Sequence, residues 1–346
     1  MHALRLPFVI RHSFCHSSFV ILLLLLGSAE ARGAEPDLSL SAVEGWSGVF
    51  GGAPCEFHFG VTGRKAFRGL AGSALTVDGC TIARHEEPIA VEPDKEGRIT
   101  VRFDIPPVKE GVVVQALLSV SLYVQNAGKP EASLRKTLWV FPRTPFADRA
   151  EWLKQLKIHL FDPAGKTREI LEKAGVPFAE AGNAASLAEL REGMVIIGEG
   201  TSFEDHRGLP EIMVRAAAKG VPVLCLAPSE GRLVLPGTEE AELPKPTALA
   251  LRGNDVITEL DKRLDALAWP PDGKVATRTM TVKADRGRVV AEMAEGGAAW
   301  PWVEARFAER RGRLIVCGFG IIRAWEAGPS PRFLFARLLE RLDARE

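Results

Sequence analysis

The chain has 346 residues, 46% apolar and 25% charged, with 44 Lys and Arg against 44 Asp and Glu. That composition excludes a disordered or fibrous chain, and the charge balance leaves no global basic field to hold nucleic acid. At about 150 residues per domain, the length predicts two folded units.

Residues 1–34 read as a secretory signal peptide. Arg5 and Arg11 precede the apolar run Phe19 to Leu26, and Gly27-Ser28-Ala29-Glu30-Ala31 supplies a small-residue A-x-A cleavage pattern. The apolar run is about half the roughly 20 residues that a spanning helix needs, and no later stretch approaches that length. The sequence therefore predicts export to the periplasm or beyond, with no membrane span in the mature chain. An oxidising compartment permits disulfides, and Cys55 and Cys80 lie in one segment of alternating strands. They are expected to pair, closing a loop of about 25 residues worth roughly 3–4 kcal/mol in the chain-entropy account.

Residues 35–142 carry an all-β pattern. Leu38-Ser-Leu-Ser-Ala-Val, Cys55-Glu-Phe-His-Phe-Gly-Val and Ile99-Thr-Val-Arg-Phe-Asp-Ile alternate apolar with polar residues, and Gly51-Gly52, Asp78-Gly79 and Pro106-Pro107 punctuate them. Period two with frequent turns predicts an Ig-like sandwich of roughly seven strands. Its last hairpin would run from Val112 to Gln125 and back from Ser133 to Phe141.

Residues 143–346 change period. Short apolar runs at Lys157 to Phe161, Val176 to Ala179, Met194 to Gly198, Val221 to Ala227 and Leu314 to Cys317 alternate with helical spacings, the last from Pro331 to Leu342. Nearly continuous apolar strands between helices predict a parallel sheet covered on both faces. Ala276 to Lys283, Arg288 to Met293 and Trp302 to Phe307 read as one inserted antiparallel meander, and the Pro-rich stretch Leu235 to Pro246 as a loop.

Val77-Asp-Gly-Cys-Thr-Ile-Ala-Arg and the ending Leu138-Trp-Val-Phe-Pro resemble the Ig-like sandwich of glycoside hydrolase family 2 β-galactosidase-type proteins. The segment after Pro142 is similar to the class I glutamine amidotransferase-like (flavodoxin-like) domains that accompany such sandwiches in secreted bacterial proteins. The resemblance implies a flavodoxin-like strand order and a link to glycans. It also implies a nucleophile elbow near Pro222-Val-Leu-Cys-Leu-Ala-Pro-Ser. One register of the elbow puts Cys225 at the nucleophile position, the other puts Ala227 there. None of the seven His follows Cys225, so the triad this chemistry needs finds no His where the family has one.

Other chemistries fall short as well. Asp162-Pro-Ala-Gly-Lys-Thr follows a strand and opens a helix, but it lacks the first Gly of a phosphate loop. Asp and Pro there suit a helix start. Gly198-Glu-Gly-Thr-Ser has Glu204 where a G-x-S-x-G elbow needs Gly. No metal-ligand spacing stands out, and no cofactor motif is complete. Trp269, Trp300, Trp302 and Trp325 could stack on sugars but suit a core.

A switch point between the first and third parallel strands is where such a sheet takes a ligand. Its candidate residues are Asp162, Lys166, Thr167, Gly198, Glu199, Gly200 and Ser202. Asp162 and Glu199 would accept bonds from hydroxyls, Lys166 and the helix start would meet an anion, and the glycines would admit a ligand near backbone. Removing Glu199 is then expected to weaken a ligand without changing stability. The expectation is an exported, non-catalytic binding or interaction protein associated with glycan handling, its partner a carbohydrate or another extracytoplasmic protein. A secreted hydrolase with its site at this rim, or a structural subunit of a larger complex, are the alternatives.

Overall fold

A computed structural model describes residues 37–124, 128–236, 243–285, 288–294, 300–307 and 312–344. The expected signal peptide and the tip of the last sandwich hairpin lie outside the described residues, as does the middle of the Pro-rich stretch. None of the described helices is long and apolar enough to cross a membrane.

The first unit is a β-sandwich of eight strands: β1 (Leu38–Ala42), β2 (Gly48–Phe50), β3 (Pro54–Gly63), β4 (Phe67–Val77), β5 (Cys80–Val91), β6 (Gly97–Asp104), β7 (Val114–Val124) and β8 (Ala132–Phe141). Three form one sheet in the order β1-β3-β6, and five form the other in the order β2-β8-β7-β4-β5. The period-two pattern drives this arrangement. Phe57, Phe59 and Val61 alternate inward on β3, and Leu118, Val120 and Leu122 on β7, all buried in one core. The strand beyond the expected seven is β2, three residues that pair parallel with β8. It is too short to show an alternation.

The second unit comprises α1 (Ala150–Gln155), β9 (Ile158–Phe161), α2 (Lys166–Lys173), β10 (Phe178–Glu180), α3 (Ala184–Ala188), β11 (Met194–Ile197), α4 (Leu209–Ala218), β12 (Val223–Leu226), β13 (Arg232–Pro236), β14 (Ala248–Arg252), α5 (Asp255–Leu260), β15 (Thr279–Asp285), β16 (Arg288–Ala294), β17 (Trp302–Arg306), β18 (Arg313–Cys317) and α6 (Pro329–Asp343). Its main sheet runs β10-β9-β11-β12-β18-β17-β14. The first five strands are parallel, and their order is the second, first, third, fourth and fifth along the chain. The sheet changes direction beside β9, so the carboxyl ends of β9 and β11 flank a switch point. Every residue of β11, β12 and β18 is buried. Leu224 and Leu226 face the core that α6 covers with Leu334, Phe335 and Leu338. Val223 and Cys225 face the core that α4 covers with Leu209, Met213 and Val214.

The expected single meander is divided. β15 and β16 pair with each other and with β13 in a separate three-stranded sheet, whereas β17 joins the main sheet between β18 and β14. Burial explains the division. Trp302 is fully buried and Glu304 is 2% exposed, an environment that the interior of a sheet supplies. Glu304 remains charged there because Arg306 and Arg341 lie at 3.0 and 2.9 Å. Asp261, after α5, is similarly held. Burial raises its pKa, but bonds from Arg263 and Arg337 outweigh that and bring it down to about 2.

The two units are fastened together at β2. The Asp265 carboxylate accepts the Ser47 amide at 2.9 Å, the Ser47 hydroxyl at 2.7 Å and the Gly48 amide at 2.9 Å. A Cβ at position 48 would lie 3.0 Å from Pro329 and 3.1 Å from Asp265, so glycine permits this approach. Arg332 adds a cation–π contact to Phe50 at 4.8 Å and a bond to the Arg143 carbonyl at 2.9 Å, and Phe141 packs on Phe333. Asp265→Ala leaves the Ser47 amide and hydroxyl, the Gly48 amide and the Ser330 hydroxyl without their acceptor and should cost roughly 2–4 kcal/mol. Urea denaturation of the full chain measures this, and a loss below about 0.5 kcal/mol would show that the latch contributes little.

Candidate functional site

The rim at the switch point begins at the end of β9, where Gly165 turns the chain at φ 74° and its amide bonds the Asp162 carbonyl at 3.1 Å. The Asp162 Oδ2 accepts the Arg168 amide at 2.8 Å, so Asp162 caps the first turn of α2. Across the rim, Gly198 leaves β11 with its amide on the Phe161 carbonyl. A Cβ there would fall 2.3 Å from the Asp162 Oδ1, and glycine is therefore required for the two ends to meet. The buried Thr167 hydroxyl accepts the Glu199 amide at 2.9 Å, tying α2 to the β11 loop.

Glu199 is the central residue of this rim, but it turns inward. Its Oε2 accepts the Ile322 amide at 2.7 Å and its Oε1 accepts the Arg323 amide at 3.3 Å. Burial raises its pKa, with the two backbone bonds and the nearby Arg323 and Arg278 opposing the rise. The carboxylate thus satisfies the segment after β18 and is not free for a hydroxyl. Ser202 and Thr201 are similarly occupied, Ser202 Oγ accepting the Asp205 amide and Thr201 Oγ1 donating to the Gly198 carbonyl. Gly200 is left-handed at φ 87°, with its amide on the Ala227 carbonyl. Lys166 is exposed and forms no ion pair among the described residues. The seven expected residues thus do converge on one rim, but the side chains of four of them, Asp162, Thr167, Glu199 and Ser202, are spent on backbone amides.

Two open clefts remain beside the rim, of about 340 and 320 Å³, sharing Pro163 and His206. Asp162, Arg168, Glu180 and Asn183 line the first, and Ser202, Asp205, Ser229 and Glu230 the second. The His206 ring meets Phe161 edge-on at 5.1 Å. His206, Arg168 and Ser229 carry no sequence motif, and only the fold brings them beside the rim.

Of Cys225 and Ala227, only Ala227 has a left-handed backbone. Ala227 follows β12 at φ 27°, a backbone that a non-glycine residue rarely adopts. Its amide bonds the Cys317 carbonyl at 2.6 Å. Cys225 lies within the strand, and burial pushes its thiol pKa well above the usual range. Cys317 faces the opposite side of the sheet, and burial lifts its pKa to about 12. The strained position after β12 therefore carries a methyl group. Among the described residues, no His ring nitrogen bonds a Ser or Cys side chain.

The expected Cys55–Cys80 disulfide is absent, and both residues are free thiols. Cys55 lies on β3 opposite Phe103 in the three-stranded sheet. Cys80 opens β5 opposite Val77 in the five-stranded sheet. Alternation placed both on strands but could not say which sheet each strand joins. Of the four candidate Trp, three are core residues: Trp269, Trp302 and Trp325 are at most 4% exposed, and Trp300 is 38% exposed.

No known family profile matches the chain, and no curated protein matches it. Among solved structures, it is similar to Spo0M, the sporulation control protein of Bacillus subtilis, at 15% identity and a TM-score of 0.25, over 34% of this chain and 54% of that one. A β-glucuronidase from glycoside hydrolase family 2 aligns at 9% identity and 0.22, over 61% and 21%. A putative β-galactosidase from Bacteroides fragilis aligns at 9% and 0.23, over 56% and 39%. The chain thus spans about half or less of these proteins, and likenesses of this size carry no argument about activity.

Two predictions follow from the geometry. Glu199→Ala strands the Ile322 and Arg323 amides and should cost about 1–3 kcal/mol, contrary to the stability-neutral change expected from sequence. Glu199→Gln keeps an acceptor and removes a buried charge, so at pH 7 its stability should stay close to the wild type. Because the folded pKa of Glu199 is raised, the wild type gains stability as pH falls through that value towards the ordinary one, and the Gln variant lacks this gain. Melting temperatures from pH 4 to 7 measure both. The second concerns thiols: iodoacetamide at neutral pH should alkylate the exposed Cys80 first. Cys55 should follow slowly, since burial pushes its pKa up to about 11. Cys225 and Cys317 should react only after unfolding. Native labelling of Cys225, or a Cys55–Cys80 crosslink in unreduced protein, would contradict the structure.

Proposed function

We propose that this is an exported, non-catalytic two-domain protein that binds a carbohydrate through the clefts on either side of His206. In this reading the sandwich is Ig-like and of the family 2 type. The second unit is a flavodoxin-like, class I amidotransferase-like domain that has kept the elbow without its chemistry. The observation that carries the reading is Ala227: the strained position after the fourth parallel strand holds a methyl group, which can neither attack a carbonyl nor exchange a proton. The engagement of both Glu199 oxygens with backbone amides supports it, since a catalytic carboxylate needs a free oxygen facing substrate. The glycan link rests on the sequence resemblance of the sandwich.

A glycan array probed with the mature protein tests this, together with product analysis of every glycan retained. The expected result is retention of at least one glycan class, unchanged after prolonged incubation. Arg168→Ala and Ser229→Ala should weaken retention at least about fivefold while leaving the melting temperature within about 2 °C. Cleavage of a retained glycan would replace this reading with a hydrolase, and an empty array would remove the carbohydrate from it.

A further inference from the structure

At 12 residues, β5 is the longest of the described strands, and it ends the five-stranded sheet β2-β8-β7-β4-β5. The strand at the other end, β2, meets Asp265, so β5 lies at the end of the sheet away from that contact. An edge strand presents unpaired N–H and C=O groups, and these can pair with a strand of another chain. Pro88 shows which residues of β5 present them. It pairs with Leu70 on β4, and the ladder between the two strands stays whole only where the proline nitrogen faces the free edge. Backbone groups alternate in direction along a strand, so Glu86 and Arg84 also turn theirs outward.

Arg84 and Glu86 are both exposed, and neither takes part in an ion pair among the described residues. When an antiparallel copy pairs with this edge about a two-fold axis, outward residues must face outward residues. Arg84 facing the partner's Arg84, or Glu86 facing the partner's Glu86, sets like charges opposite each other and is destabilising. Arg84 facing the partner's Glu86 sets opposite charges together, and the axis repeats the contact. That register makes two hydrogen-bonded pairs, each exchanging both of its backbone bonds. It also puts His85 opposite the partner's His85, a pair without hydrogen bonds whose Cα atoms would lie about 4.5 Å apart.

We propose that two copies of the chain associate through β5, antiparallel and in the register that places Arg84 on the partner's Glu86, joining their five-stranded sheets into one. Two features bound the contact. Towards the hairpin turn, Ile82 is the extra residue of a β-bulge, since Ala83 pairs with Leu75 and Thr81 with Thr76. Towards the other end, Pro88 withholds an N–H from the edge. Pairing between the copies is thereby limited to residues 83–87. A contact this short makes a weak, reversible dimer, with a Kd on the order of 10 µM.

Sedimentation velocity of the protein from about 1 to 200 µM reads the association, and the sedimentation coefficient should rise towards the dimer value. Arg84→Glu and Glu86→Arg each set like charges opposite one another twice, and each should raise the Kd at least about tenfold at an unchanged melting temperature. Mixed in equal amounts, the same two variants bring opposite charges together at both positions and should associate like the wild type. A covalent trap tests the register. His85→Cys in a Cys80→Ser background places two thiols within the roughly 4.4–6.8 Å Cα separation that a disulfide spans. Oxidation should then give a crosslinked dimer, and Cys80→Ser alone should give none. A wild type still monomeric at the highest concentration overturns the proposal, even if the edge takes up a strand from another protein. So does a wild-type Kd in Arg84→Glu, or a mixture of the two variants that stays monomeric. Should either charge variant fail to fold, the trap decides, and its failure to crosslink overturns the pairing.

Discussion

The α/β unit is organised by strands that have no exposed face. Because β11, β12 and β18 are buried along their whole length, α6 must cover one side and α4 the other. Each strand then meets solvent only at its ends. The antiparallel β17 and β14 extend the same sheet, and the Glu304–Arg341 pair compensates the charge that β17 buries.

The loops at the carboxyl ends spend most of their polar groups on themselves. Asp162 caps α2, Thr167 holds the Glu199 amide, and Glu199 reaches across to Ile322 and Arg323. Such a rim is rigid, because each side chain satisfies a backbone group that has no other partner. The Asp162 Oδ1 is the exception, buried with no hydrogen-bond partner among the described residues. The side chains that line the adjoining clefts include Arg168, His206 and Ser229.

The sequence carries some of this plainly. Parallel strands with continuous apolar runs must lie inside a sheet, and their positions along the chain match β9, β11, β12 and β18. Alternation likewise reveals the sandwich strands, because every second residue faces its core. What it cannot reveal is pairing. Nothing in Cys55 or Cys80 says that β3 and β5 join different sheets, so nearness along the chain suggested a bond that the fold does not make. The same gap divided the expected meander, since β17 shares its turn-and-strand pattern with β15 and β16 but not their burial. Glu199 is the instructive site residue. Its position at the end of β11 was legible, but its partners lie 123 and 124 residues away. A carboxylate that will accept distant amides has no local signature distinguishing it from one that awaits a ligand.

The two units meet by a comparable economy. Asp265 binds amides and a hydroxyl on one short strand, and that strand, β2, is held to the sandwich by its parallel pairing with β8. Aromatic and cation–π contacts surround it at Phe50, Phe141 and Phe333. The apolar contacts supply most of the adhesion, since burial of large side chains is worth about 1.5–3 kcal/mol each, but they are not directional. The Asp265 bonds set the orientation, because three donors on two adjacent residues must meet two oxygens of one carboxylate. Adhesion and orientation therefore rest on different groups.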